Sequence, residues 1–250
     1  MTTMEFLGLK NGSDVRGIAT EGVQGQSVNL TAEAAENIAK AFCVWLISHT
    51  GKTRVRVAVG YDSRISSPTL CEAVVKGITE TGHDAVVTGL STTPSMFMLL
   101  KDEKRKSELP CQGSIMITAS HLPFNRNGFK FFTAEGGLEK GDIKEILTYA
   151  AGVETTGLAA GKLISGEFMD AYAGILCDKI RSATGEEKPL DGFRIVVDAG
   201  NGAGGFYVDK VLKPLGANTE GSRYLDPDGS FPNHIPNPED KTAMEAITES

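Results

Sequence analysis

The stretch Thr118 to Lys130 reads T-A-S-H-L-P-F-N-R-N-G-F-K and gathers hydroxyls, an imidazole, two amides and two cations in one short segment. A strand-like run, Ser114 to Thr118 (S-I-M-I-T), delivers Ser120 into a loop that contains Pro123, Asn125, Asn127 and Gly128. A rigid element behind and an open loop in front is how a scaffold presents a nucleophile. A serine hydroxyl carries phosphate covalently when something neutralises the added charge of about −1.5 to −2. Read alone, Ser120 also suits an ordinary turn, where serine is common. A serine–histidine hydrolase is a poor reading. Neighbours in extended chain point to opposite faces, which turns His121 away from Ser120, and the G-x-S-x-G elbow is absent.

Two cations are candidates for neutralising such a phosphate. Arg16 offers a guanidinium that binds a phosphoryl group bidentately, its plainer role being a surface pair with Asp14. Lys130 is expected on a strand returning from the Ser120 loop. There its ammonium would lower the local negative charge and assist proton transfer, or else simply snorkel. His121 either contacts the phosphate or substrate or caps the loop. Asp62 and Arg64 are expected to pair and shape the loop rather than to catalyse.

The elements that must position these groups follow from periodicity. Thr31 to Thr50 carries Ala35, Ile38, Ala39, Phe42, Trp45 and Leu46 at helical spacing, with Gly51 to end it. Val55 to Val59 and Asp84 to Thr88 read as strands, and Ser67-Pro68 reads as an N-cap and first helical residue. Thr93-Pro94 opens a helix through Leu100, and Lys101 to Glu108 reads as a solvated connection. Gly128 to Thr133 is a further strand and Gly141 to Ala150 a helix. The Gly-, Thr- and Ala-rich stretch from Gly152 to Gly166 is a candidate linker. A helix from about Glu167 to Arg181 follows. The pattern then restarts with strand Arg194 to Asp198, helix Tyr207 to Leu215 and strand Thr219 to Tyr224. Alternating strands and helices predict an α/β class: two consecutive three-layer α/β units with mixed sheets, over 1–155 and 156–250. The second is expected to be incomplete, since Lys241 to Ser250 opens a helix with no strand after it.

Composition narrows the function classes. Of 250 residues, 40% are hydrophobic and 23% charged, which suffices for a core. A net charge of −7 gives a nucleic-acid partner no electrostatic support, so positive charge must be concentrated locally. No apolar run reaches the ~20 residues that span a bilayer, and Met1 to Lys10 lacks a secretory pattern. The expected location is cytoplasmic, or a plastid had a transit peptide been removed. Cys43, Cys71, Cys111 and Cys177 form no C-x-x-C pair, so neither a zinc site nor a disulfide framework is indicated. Gly200, Gly202, Gly204 and Gly205 lie in G-N-G-A-G-G. That is a tight strand-to-helix turn and not the G-x-G-x-x-G of a Rossmann-type phosphate-binding module.

T-A-S-H followed by Pro123, then Asn127 to Lys130 (N-G-F-K), resembles the phosphoserine loop of the α-D-phosphohexomutases. This family comprises phosphoglucomutases, phosphomannomutases and phosphoglucosamine mutases. Leu122 stands where the family has Asn, and Phe124 where a second Pro is frequent. Gly12 to Gly17 (G-S-D-V-R-G) resembles the family's F/Y-D-I/V-R-G opening. Gly60 to Pro68, Thr92 to Pro94, Val196 to Gly202 (V-V-D-A-G-N-G) and Phe231 to Pro238 (F-P-N-H-I-P-N-P) match further motifs in order.

The resemblance implies an intramolecular phosphotransferase that interconverts hexose 1-phosphate and hexose 6-phosphate. Ser120 would carry the phosphate, a bisphosphorylated sugar would be the intermediate, and a hexose 1,6-bisphosphate the activator. Arg16, Lys130 and His121 would act with Ser120, and Arg16, Lys130 and Asn127 would bind phosphate. Mg²⁺ would be held by Ser120 through its phosphate and by an acidic loop expected beyond Ser250, so this segment alone is expected to be inactive. The small-molecule partner would be a hexose phosphate whose sugar the segment does not specify. A non-catalytic paralogue that binds sugar phosphates is the alternative.

Overall fold

The computed structural model describes residues 1–153 and 159–248. The expected boundary at 155/156 lies outside them. By contacts the chain forms two units. The first comprises Met1–Asp62, Ser66–Ala119 and Asn125–Glu167; the second comprises Ser63–Ile65, Ser120–Phe124 and Phe168–Ser250.

The first unit opens with α1 (Thr3–Leu7), β1 (Lys10–Asn11), β2 (Asp14–Ile18), α2 (Ala32–Thr50) and β3 (Arg56–Tyr61). It continues with α3 (Ser67–Glu80), β4 (Asp84–Leu90), α4 (Thr93–Lys101), α5 (Glu103–Glu108), β5 (Gly113–Ile117) and β6 (Arg126–Thr133). It closes with β7 (Gly136–Gly137), α6 (Lys140–Ala150) and β8 (Leu163–Ser165). Among the described residues the strands form one eight-stranded mixed sheet in the order β1-β2-β6-β5-β3-β4-β8, with β7 on β6. β3 runs parallel to β4 and β5, while β6 is antiparallel to β5 and β2.

Strand alternation decides the layers. Val57, Val59, Ile115, Ile117, Phe129 and Phe131 join the buried cluster built with α2, α3 and α6. The intervening residues face α4: the Ser114 hydroxyl donates to the Met96 carbonyl at 3.0 Å, and Phe132 lies 6.1 Å from Phe97. α2 is bounded as its sequence requires. The Thr31 hydroxyl accepts from the Ala34 amide, and Gly51 adopts the left-handed conformation that ends the helix.

Several expectations change. Ser67 is the first helical residue of α3 rather than its cap, and its hydroxyl donates to Asp62 at 3.0 Å. The run Lys101 to Glu108 is helical over α5, because the Asp102 carboxylate caps the Arg105 amide. Within the stretch read as a linker, Leu163–Ser165 pairs in parallel with β4. A Cβ at Gly161 would overlap the His83 carbonyl, so close approach to the sheet requires that glycine.

The second unit holds α7 (Met169–Thr184), a 3-10 turn (Ala203–Gly205), a π-turn (Val208–Leu212) and α8 (Lys241–Thr248). Ala173, Cys177, Val211 and Leu215 form its core cluster. The strands expected at Arg194 to Asp198 and Thr219 to Tyr224 are present only as parallel bridges, Arg194 to Asn218 and Asp198 to Arg223. Between the two bridges the Ser222 amide donates back to the Thr219 carbonyl at 3.1 Å, and the Val197 amide donates to the Ser222 hydroxyl instead of to a backbone carbonyl, so a turn interrupts the ladder.

Candidate active site

A polar strip crosses the α4-facing side of the first unit's sheet. In β2 the side chains of Asp14 and Arg16 share one face, since residues two apart in a strand point the same way. Arg16 pairs in register with Gly128 of β6, and Lys130 lies one step along on the same face. Asp14 joins the two cations through a single oxygen. Its Oδ2 accepts from Arg16 at 2.8 Å and from Lys130 Nζ at 2.6 Å. The other terminal nitrogen of the guanidinium donates to the carbonyl of Thr118, the residue after β5.

Gly128 makes room for this arrangement. A Cβ there would lie 2.7 Å from the Arg16 guanidinium and would overlap the Val15 carbonyl. The Arg16 side chain is only 10% exposed, and burial pulls its pKa down from the usual value while the charges of Asp14 and Asp62 push back. The pairing with Asp14 is therefore real but not a surface pair. It presents a largely desolvated guanidinium, where electrostatic contacts are strong.

Thr118 ends the strip. Its hydroxyl donates to Asp62 Oδ2 at 2.6 Å, and Asp62 Oδ1 accepts from Ser67. Asn127 is fully buried. Its amide donates to the Ser66 and Ser67 hydroxyls, each at 3.0 Å, and its oxygen accepts from the Gly128 amide. These bonds tie β6 to the start of α3 and engage both side-chain amide hydrogens of Asn127 within the protein.

Ser120 follows Thr118 and Ala119 in the chain and sits with the second unit. Its backbone is left-handed at a φ of 58°, a conformation that costs a non-glycine residue about 1–3 kcal/mol and clusters at functional sites. This overturns the expectation that His121 points away. That expectation assumed extended chain, whereas the left-handed bend brings His121 Nδ1 to 3.4 Å from the Ser120 hydroxyl. The contact is at the long end of hydrogen bonding.

The chain matches "Phosphoglucomutase/phosphomannomutase, alpha/beta/alpha domain I" over residues 9–156 and domain II of the same family over residues 167–250. It belongs to the phosphoglucomutase/phosphomannomutase family. It is 34% identical over 234 residues to a phosphoglucomutase of Neisseria meningitidis serogroup B, covering 90% of this chain and 44% of that protein. A phosphomannomutase/phosphoglucomutase of Pseudomonas putida is 32% identical over 73% of this chain and 36% of its own length. The chain thus spans less than half the length of these curated relatives. A crystal structure of a phosphoglucomutase/phosphomannomutase family protein from Burkholderia thailandensis superposes with a TM-score of 0.78 at 26% identity, covering 100% of this chain and 50% of that one.

For a phosphoglucomutase/phosphomannomutase family chain, the metal is the next question. Among the described residues no group of three or more His, Cys, Asp or Glu side chains is placed to hold one. Asp14 is committed to two cations and Asp62 to two hydroxyls. Mg²⁺ takes carboxylate and phosphate oxygens, so the described residues do not fit it by themselves, and the chemistry derived below uses none. Thiols are no substitute: burial pushes Cys43, Cys71 and Cys111 up to about 12. No helix among the described residues is long and apolar enough to cross a membrane.

Two family motifs meet within the second unit. His234 Nε2 lies 3.0 Å from Asp198 Oδ1, its Nδ1 faces the Ile235 carbonyl at 2.9 Å, and Tyr224 packs edge-on against the ring. Burial lowers the pKa of His234, but the bonds to Ile235 and Asp198 and the charges of Asp198 and Asp240 outweigh it and leave the value raised above 6.5. A raised folded-state pKa stabilises fully below the unfolded value and loses that contribution as pH rises through the folded one. Melting temperature is therefore expected to fall more steeply in the parent than in His234→Gln as pH rises above the ordinary histidine value of about 6.5. Parallel pH profiles for the two proteins would remove this pair from the stability of the unit.

Proposed function

We propose that this chain is the phosphate-carrying part of a phosphohexomutase that interconverts hexose 1-phosphate and hexose 6-phosphate. The observation that carries the reading is the pair of cations, Arg16 and Lys130, gathered on one Asp14 oxygen, with Arg16 also bound to the carbonyl two residues before Ser120. Phosphorylated Ser120 donates its phosphoryl group to a sugar hydroxyl. The resulting bisphosphate turns over and returns its other phosphate to Ser120. Phosphoryl transfer needs positioning and charge stabilisation more than covalent help, and a buried guanidinium and a nearby ammonium supply both. Lys130 is 24% exposed, open enough to exchange a proton with the sugar hydroxyl as it attacks or leaves. His121 beside the hydroxyl orients Ser120 between transfers. Mg²⁺ and a hexose 1,6-bisphosphate activator belong to this reading; the metal would be held in part by the serine phosphate and would supply charge neutralisation there.

The test is to incubate the complete protein with a hexose 1,6-bisphosphate and map the added phosphate by mass spectrometry. Label on Ser120, chased off by a hexose monophosphate, is the expected result. Sugar phosphate that binds while Ser120 stays bare would replace this reading with that of a non-catalytic relative.

A further inference from the structure

A buried arginine outside the strip is bonded to the Ser120 loop. Arg64 is 1% exposed. One terminal nitrogen donates to the Pro123 carbonyl at 2.7 Å. The other donates to the carbonyls of Ser120 at 2.9 Å and Leu122 at 2.7 Å. Three of the loop's carbonyls thus converge on one guanidinium, whose planar fork fixes their relative positions. Phe231 lies against the same group, its ring centroid 5.2 Å from the guanidinium carbon. Gly229 pairs with Arg64 as a parallel bridge, and a Cβ on Gly229 would overlap the Ser63 carbonyl and the Ile65 amide. Phe231 reaches the guanidinium from a left-handed backbone at a φ of 51°. Two non-glycine residues in this sparse conformation, Ser120 and Phe231, therefore contact one buried cation. Such conformations persist only where surrounding contacts over-determine them.

We infer that Arg64 and Phe231 are positioning residues for the phosphate-carrying serine: Arg64 holds the loop carbonyls that keep Ser120 left-handed, and Phe231 holds Arg64. This rests on Ser120 being the carrier. It assigns to Gly229 and to Phe231, the first residue of the Phe231 to Pro238 motif, which has no role in the proposed chemistry, the task of aiming the nucleophile. Lysine at position 64 would keep the charge but cannot hold three carbonyls in one plane. A shift of about 1 Å in a reacting group costs on the order of 10²-fold in rate.

The test uses the complete protein with Arg64→Lys and Phe231→Leu. The rate of Ser120 phosphorylation by hexose 1,6-bisphosphate, kcat and KM for the hexose phosphate, and hydrogen exchange of the loop amides within 121–125 other than Pro123, which has none, are measured for each. Arg64→Lys is expected to lower phosphorylation rate and kcat by about 10²-fold with KM within about twofold, since only the reacting hydroxyl is displaced. Phe231→Leu is expected to lower them by about tenfold. Exchange should quicken at 121–125 and stay slow in the sheet of the first unit. Parent-like phosphorylation rates in both variants overturn the assignment, as does a raised KM at unchanged kcat. An Arg64→Lys protein that fails to fold, together with a parent-like Phe231→Leu, makes Arg64 a folding residue and overturns it too. If the parent itself takes no label on Ser120, the functional reading fails. Quickened exchange at 121–125 would then show the clamp without the chemistry.

Discussion

Replacing Ser120 by glycine is expected to abolish phosphorylation of the loop and the interconversion of hexose phosphates, while leaving the fold intact or slightly more stable. Glycine removes the hydroxyl together with the Cβ and leaves the backbone groups in place. The Ser120 carbonyl that Arg64 holds is unchanged. At a φ of 58° the serine backbone bears a left-handed penalty of about 1–2 kcal/mol that glycine does not. Glycine's larger unfolded-state entropy returns about 0.5–1 kcal/mol of that, so the net change is about 0–1.5 kcal/mol, on the stabilising side. Ser120→Ala separates the two effects, because it loses the hydroxyl and keeps the penalty. Both variants should lose at least about 10³-fold in turnover, as expected when a covalent carrier is removed. Thermal melting should rank Ser120→Gly at or above the parent and above Ser120→Ala. A glycine variant within tenfold of parental turnover would move the carrier to another residue.

That penalty marks the limit of what the sequence made legible. Thr31, the stripe from Ala35 to Leu46, and Gly51 announced α2 because capping, burial and termination all agree there. The apolar runs at Val55 to Val59 and Ser114 to Thr118 announced the central strands for the same reason. β8 was hidden, because three residues in a glycine-rich stretch show no period, and only the sheet edge tells them to extend. Arg16 and Lys130 were recognisable from their motifs. Their shared partner Asp14 was considered only as a surface counter-ion, although the D-V-R alternation places it on the same face as Arg16. For Asn127 the sequence shows an amide but not that both of its hydrogens are engaged by Ser66 and Ser67. His121 misled because a left-handed serine leaves no trace in composition, and one dihedral angle reversed the expected direction of its neighbour.

Arg16→Ala and Lys130→Ala are each expected to reduce turnover by roughly 10²-fold, the scale on which loss of one electrostatic contact in a transition state is felt. Their double variant should lose less than the product of the two. The reason is the shared oxygen: both cations bond Asp14 Oδ2, so removing either one leaves Asp14 fully engaged with the other and displaces it. Each single variant therefore already injures its partner, and groups in one ion-pair network are coupled by about 0.5–3 kcal/mol. Arg16→Ala further removes a donor from the Thr118 carbonyl, two residues before the serine, so it should be the more damaging of the two. Asp14→Asn sharpens the test. It keeps both cations but weakens the bond that aligns them, and it should lower kcat while restoring additivity between Arg16→Ala and Lys130→Ala in its background. The measurement is a double-mutant cycle on kcat/KM, with melting curves to verify that each variant folds. Full multiplicative losses in the parent background would mean that Arg16 and Lys130 act independently and that Asp14 does not hold them as one cationic unit.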